Sequence, residues 1–133
     1  MRHKIIVLVT CGSRKEARKI ARALVEERFA ACVSVLTAPV ESIYRWKGKV
    51  ETAQELLLVI KTTRKRFAAL EAEVRRLHSY EVPEIIALPI ERGSKAYLAW
   101  IEESTKPEKR RELAPLASGA RANRKKRYAS ASP

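Results

Sequence analysis

The side chains able to carry chemistry in this sequence are few, and each type is bounded by what is missing around it. Cys11 and Cys32 are the only cysteines and stand 21 positions apart. They form neither a Cys-x-x-Cys pair nor a four-ligand zinc spacing, so two buried free thiols are the expectation. All fifteen acids are glutamates, and Gln54 and Asn123 are the only side-chain amides. A kinase catalytic loop, a Walker-B aspartate, an EF-hand and an aspartate-based triad each call for the residue that is absent. Hydrolysis of the acylphosphatase type needs an arginine for the phosphate and an asparagine to position water. Arg14 is suitably placed after the first strand, but the sole asparagine is Asn123, far down the chain. Nucleophilic attack by Cys11 would need a helix N-terminus or a histidine to lower its pKa. A helix start is present but no base partner is identifiable. The expectation is a protein that is not an enzyme.

Charge narrows the partners. The chain carries a net +13, and residues 105–133 hold nine Lys/Arg against two Glu, which is more than half of that excess. Arg121, Arg124, Lys125, Lys126 and Arg127, with Tyr128 adjacent, could grip phosphates without sequence preference. The Ala, Ser, Pro and Gly around them equally suit a solvated terminus. Nucleic acid would bind only through this tail, because the strand-like runs His3 to Thr10 and Val50 to Lys61 contain no aromatic residue on which a base could stack. No run approaches the roughly 20 apolar residues of a membrane span. The N-terminus runs straight into Ile5–Val9, an apolar run too short for a signal h-region with a cleavage site, so a cytoplasmic location without membrane contact is expected. Scarce Asn and Gln beside abundant Glu, Lys and Arg resemble thermophile usage.

The elements that must position these residues read as βαββαβα. An Ile/Val-rich strand over His3–Thr10 leads to Ser13 and Glu16, a capping-box pair opening a helix from about Arg14 to Arg28. Ala17, Ile20, Ala21, Leu24 and Val25 form its buried stripe. Cys32–Leu36 is β-rich, Pro39 interrupts it, and Val40, Ser42, Tyr44 and Trp46 then share one face. Lys47-Gly48 turns the chain into a long strand, Val50–Thr63, giving a hairpin of unusual length. Thr63 caps a second helix carrying Phe67, Leu70, Val74 and Leu77, and Pro83 limits its extent. Ile85–Ile90 is a further strand, and Tyr97, Leu98 and Ile101 face inward from a last helix capped near Ser94. The fold expected is α+β, a ferredoxin-like βαββαβ sandwich with a C-terminal helix: a four-stranded antiparallel sheet with both main helices on one face. The other face needs a cover, because Leu56–Ile60 lacks polar alternation. Other subunits or the last helix must supply it, and the overlong hairpin offers edges for neighbouring subunits. The domain is expected to span 1–104, with 105–133 as a basic tail.

Three collinear segments carry a family resemblance: Ala30-Ala31-Cys32-Val33-Ser34, Ser42-Ile43-Tyr44-Arg45-Trp46-Lys47-Gly48-Lys49, and Lys61-Thr62-Thr63 followed by His78-Ser79-Tyr80-Glu81-Val82-Pro83-Glu84-Ile85. Together with Tyr97-Leu98-Ala99-Trp100-Ile101, they resemble the CutA divalent-cation-tolerance family over about residues 4–104. The resemblance implies a ferredoxin-like subunit, a homotrimer built through the long hairpins, and handling of copper or another divalent cation. In members with a copper site, a cysteine near the end of the first strand and a His-His pair are the proposed ligands. Here those positions read Val9, Leu77 and His78. His78 is then the matching ligand, Cys11 a substitute thiol two residues on, and Glu84 an oxygen donor. The plainer alternative for His78 is a solvent-facing imidazole at a helix end. Tyr44, Trp46, Tyr80 and Glu84 could line a cleft between subunits, with Lys61 and Glu81 as further ligand or interface positions. Interface anchoring by the same aromatics is the competing reading. A PII-like ligand-binding signalling module is the alternative function, supported by fold analogy alone, since no Gly-rich phosphate loop is present.

Overall fold

The computed structural model describes residues 3–108. The first strand, β1 (Lys4–Cys11), follows the two-residue period of its sequence. Ile5, Val7, Val9 and Cys11 are buried on one face, while Ile6 and Leu8 on the other are half-buried. Ser13 then caps α1 (Arg14–Glu26), its hydroxyl accepting the Glu16 N–H at 3.2 Å. Ala17, Ile20 and Leu24 close onto the sheet. The helix ends two residues before the expected Arg28. There the backbone turns left-handed (φ 63°), and the Phe29 and Ala30 N–H groups both fold back on the Leu24 carbonyl.

Pro39 separates what the sequence suggests is one interrupted strand into two, β2 (Cys32–Val35) and β3 (Val40–Trp46). Proline cannot donate to a ladder, so the break falls where the chain loses a hydrogen bond. Lys47 and Gly48, both at positive φ (49° and 83°), make the two-residue turn into β4 (Lys49–Thr63). Two positive φ values match the twist of a tight hairpin, which a glycine accommodates. At fifteen residues β4 spans about 50 Å. Its second half pairs with β1 and β2, and its first half with β3 alone (Val40 opposite Glu55 through Trp46 opposite Lys49).

The expected Thr63 cap does not form through its hydroxyl. Thr63 leads into a 3₁₀ turn at Arg64–Arg66, whose first N–H reaches the His3 carbonyl at 2.7 Å, and α2 (Phe67–Leu77) follows. β5 (Ile85–Pro89) and α3 (Lys95–Ser104) complete the chain, with Ser94 Oγ accepting the Tyr97 N–H at 3.1 Å. The strand order is β2-β4-β1-β5, all antiparallel, with β3 a fifth strand on β4. The ferredoxin-like arrangement expected from the sequence is therefore present, extended by β3. α1 and α2 bury their stripes against one sheet face, where Leu58, Ile60, Val7 and Val9 are fully enclosed. On the other face α3 contributes the fully buried Ile101, yet Ile86 and Leu88 on β5 and Tyr97 and Trp100 on α3 stay exposed. Among the described residues no helix is long and apolar enough to cross a membrane. The tail residues Arg121, Arg124, Lys125, Lys126 and Arg127 lie outside the described residues.

Candidate functional site

The end of β1 positions two groups of side chains on opposite sides of one strand. Alternation turns Cys11 toward the helices and Thr10 toward the other face. On the helix side, α1 begins two residues after Cys11 and supplies Glu16, and the residue capping α2 at its C-terminus is His78. One donor atom each from Cys11, Glu16 and His78 lies within 4.8 Å of the others, the one such group of three among the described residues.

Hydrogen bonds define this cluster closely. His78 is 8 % exposed, so the solvent-facing alternative is overturned: the chain leaving α2 folds down against β1 rather than into water. Its Nε2 lies 2.7 Å from the Thr10 carbonyl, and its Nδ1 lies 3.1 Å from the Tyr80 backbone N–H. The carbonyl can only accept and the N–H can only donate, so Nε2 carries the proton and Nδ1 offers a lone pair. Glu16 Oε2 accepts the Ser79 N–H at 2.9 Å and approaches His78 Nδ1 to 3.2 Å. Two acceptor atoms therefore converge, and a metal cation shared between them would displace the Tyr80 N–H from the single in-plane lone pair of Nδ1. The Cys11 thiol is pushed up to about 12, by burial first and then by the charges of Glu16 and Glu55. It is a thiol at neutral pH and no nucleophile.

Sulfur, nitrogen and oxygen donors suit a borderline or soft cation such as Zn²⁺ or copper, and a bound metal deprotonates a coordinating thiol outright. Around a tetrahedral zinc, nitrogen and oxygen ligands stand about 3.3 Å apart and sulfur and nitrogen about 3.6 Å. The Glu16–His78 pair already has that separation at 3.2 Å, and Cys11 Sγ, within 4.8 Å of both, needs a shift of up to about 1.2 Å. The donor set fits.

On the other side of β1, residues 79–84 pass over Gly12 and reach the open sheet face. The passage is tight: a β-carbon at Gly12 would meet Tyr80 Oη at 3.2 Å. The Tyr80 and His78 rings stand 4.7 Å apart, and the Tyr80 hydroxyl donates to Glu55 Oε2 at 2.7 Å. Burial first, and then that hydrogen bond, push the phenol up. Here β4 and β3 run beyond β1, and with the 79–84 loop they enclose a cleft of about 670 Å³. Tyr44, Trp46, Tyr80, Glu55, Glu81 and Glu84 are among its walls. Burial, and then the Glu55 charge, raise the Glu84 carboxyl.

Of the residues expected from sequence, Cys11 and His78 come together, whereas Glu84 belongs to the cleft and Glu16 takes the third place beside the thiol. Tyr44, Trp46, Tyr80 and Glu81 line the cleft, and Lys61 does not. Lys61 instead donates to Ser34 Oγ at 2.7 Å on the neighbouring strand. Cys32 is half-buried rather than buried. Two residues escaped sequence reasoning, Glu16 and Glu55. Glu16 was visible as a capping-box partner, but only its N–H serves Ser13 while its carboxylate turns to Ser79 and His78. Glu55 carries a weaker signal, as the acid immediately before the Leu56–Ile60 apolar run.

The family model described as CutA1 divalent ion tolerance protein matches residues 5–104. The divalent-cation tolerance protein CutA of Thermus thermophilus is 53 % identical over 100 residues, which are 75 % of this chain and 96 % of that one. Protein CutA of Homo sapiens is 50 % identical over 97 residues, 73 % of this chain but only 54 % of the longer human protein. A solved structure of the Thermus thermophilus divalent cation tolerance protein superposes with a TM-score of 0.76 at 51 % identity, covering 77 % of this chain and 99 % of that one. Fold, sequence match and coverage agree across the whole described domain, and the chain belongs to the CutA1 divalent ion tolerance family.

Proposed function

We propose that the protein is a non-enzymatic, homotrimeric binder of a divalent cation, copper foremost, with Cys11, Glu16 and His78 as donors. The observation that carries the reading is the convergence of Glu16 Oε2 and His78 Nδ1 at 3.2 Å beside the buried thiol. Two acceptors held so close, each fixed by a backbone N–H, favour a cation between them. Copper heads the affinity order for nitrogen- and sulfur-containing sites, which is the basis for naming it first. Relatives described by divalent-cation tolerance support the class of ligand. The Cys11 thiol is protonated at neutral pH and so offers no nucleophile.

The trimer rests on apolar surface. Ile43 and Val50 on the β3–β4 hairpin and Ile86 and Leu88 on β5 are exposed well beyond what an isolated domain needs. Calorimetric titration of the full chain with Cu²⁺ is expected to show saturable binding of one ion per chain, lost in His78→Ala. Heat changes identical in the variant and the original chain would reject the donor set. Light scattering is expected to give about three times the 15.1 kDa of one chain, and a monomer mass would reject the assembly.

A further inference from the structure

Positive charge in this domain is not spread over its surface. The two helical stretches on the covered side of the sheet, residues 14–28 and 64–76, hold eleven Lys/Arg against five Glu, whereas the rest of residues 1–104 holds eight of each. The whole excess of the domain therefore lies on its helix layer, across the sheet from Ile86 and Leu88 of the proposed subunit contact. Within that layer α1 is the densest part. Arg14, Lys15, Arg18, Lys19 and Arg22 are exposed and fall at i, i+1, i+4, i+5 and i+8, one face of the helix, opposite the buried Ala17, Ile20 and Leu24. The acid sharing these turns, Glu16, points away to Ser79 and His78. On α2, Glu73 is taken by Arg76 at 2.7 Å and Glu71 stands 4.0 Å from Arg75. Among the described residues, Arg14, Lys15, Arg18 and Lys19 have no ion-pair partner, and Arg14 reaches the neutral Thr37 carbonyl at 3.4 Å. Such a stripe works against its own helix. Like charges at i and i+4 repel, and cations in the first turn oppose the helix dipole, where acids are favourable. An anion laid along the stripe offsets both effects. Charge also continues from the far end of the same helix. Arg28, just past α1, donates to the Glu103 and Lys106 carbonyls, and the sequence that follows holds eight Lys/Arg against one Glu in residues 109–133.

We infer that the outer face of α1 binds the phosphate backbone of a nucleic acid, with Arg18, Lys19 and Arg22 at the centre of the contact and the basic tail adding charge. Arg14, Arg18 and Arg22 rise about 6 Å apart along the helix, a spacing that suits successive phosphates on one strand. Guanidinium forks grip phosphate oxygens in pairs. α1 carries no aromatic residue on which a base could stack, so the contact is to phosphate and independent of base sequence. A lipid surface fits less well. Interfacial helices bury large apolar side chains among the lipids, and Ile20 and Leu24 of α1 are turned to the core instead. The stripe shares no residue with the metal donors, so either reading stands or falls without the other.

The test titrates a fluorescein-labelled DNA duplex of mixed sequence with the full-length chain and reads anisotropy from about 50 to 200 mM salt. Affinity is expected to fall about 500-fold or more over that range, as neutralising roughly five phosphates requires. The double variant Arg18→Gln/Lys19→Gln should bind about tenfold more weakly at the lowest salt and lower the salt slope by about 2. Its thermal melting should be unchanged or raised, because like-charge pairs are gone, which separates lost binding from lost folding. Arg92→Gln/Lys95→Gln removes the same charge from the other half of the domain and should change the affinity less than twofold. Equal losses in the two double variants would reduce the effect to net charge and overturn the assignment to α1. An unchanged salt slope in Arg18→Gln/Lys19→Gln would overturn it as well, as would no binding to DNA or tighter binding to phosphatidylserine–phosphatidylcholine vesicles than to the duplex.

Discussion

On the helix side of β1, Glu16 is answered by the Ser79 N–H and by His78, and every polar atom of the imidazole has a partner. On the open side, Glu55 and Glu84 line a cleft with Tyr44 and Tyr80, the Tyr80 hydroxyl donating to Glu55, and no Lys or Arg is among the lining residues. Both regions place glutamates beside residues 78–84, yet one is closed and the other is open, with no Lys or Arg among its lining residues. The difference comes from strand alternation, which sends Cys11 into the core and Thr10 out of it, and from β4, which outruns β1 and so builds a wall without a helix on it. A closed cluster should matter more to folding than an open one.

The sharpest contrast is expected between His78→Ala and a cleft variant. Removing the imidazole orphans the Thr10 carbonyl and the Tyr80 N–H and leaves a void, so urea denaturation should show a loss of about 2–3 kcal/mol. Equal stability of His78→Ala and the original chain would break the comparison. Tyr80→Phe belongs to both regions and should fall between them. It leaves the buried Glu55 oxygen without a donor, at a cost of about 1–2 kcal/mol by the same measurement.

Gly12→Ala probes the seam. Its methyl group would press on the Tyr80 ring, and a loss of about 1 kcal/mol is expected, together with a changed tyrosine environment in near-ultraviolet circular dichroism. An unaltered spectrum would mean that the loop gives way without moving the ring.

Glu84→Gln should have the smallest effect, and of opposite sign. Burial and Glu55 raise the folded-state pKa of Glu84 above its ordinary 4.5, so the folded form holds its proton longer than the unfolded form. Stability from this group is therefore lost as pH rises through that window. At neutral pH the neutral amide should stabilise the chain by a few tenths of a kcal/mol, after allowance for solvent screening. The gain should vanish once acid protonates Glu84 in the original chain. Melting curves of both proteins across pH 4–8, roughly the span around a carboxyl titration, check the sign.

The order and type of the elements were legible from local signals. The Ser13 and Ser94 caps, the Lys47-Gly48 turn and the break at Pro39 each act within a few residues of themselves. Membership of a cation-tolerance family was legible as well, because its segments are collinear. The cluster was only half legible. Cys11 and His78 stand out by rarity, but Glu16 is one of fifteen glutamates and its role depends on Ser79 and His78, which are more than sixty residues away. Glu84 follows a proline in a recognisable segment and so attracted the metal role. Its side of the sheet is set by how residues 79–84 cross Gly12, which no local pattern encodes. The burial of His78 has the same origin, because its neighbours Leu77 and Ser79 would suit either an inward or an outward ring.

The most direct test of the metal reading is anomalous diffraction from crystals of the full chain soaked in Cu²⁺. The strongest peak is expected at bonding distance, about 2.0–2.3 Å, from a His78 ring nitrogen and Cys11 Sγ, with a Glu16 oxygen completing the contact. A peak confined to Glu55 and Glu84, or intact crystals with no peak at the end of β1, would contradict it.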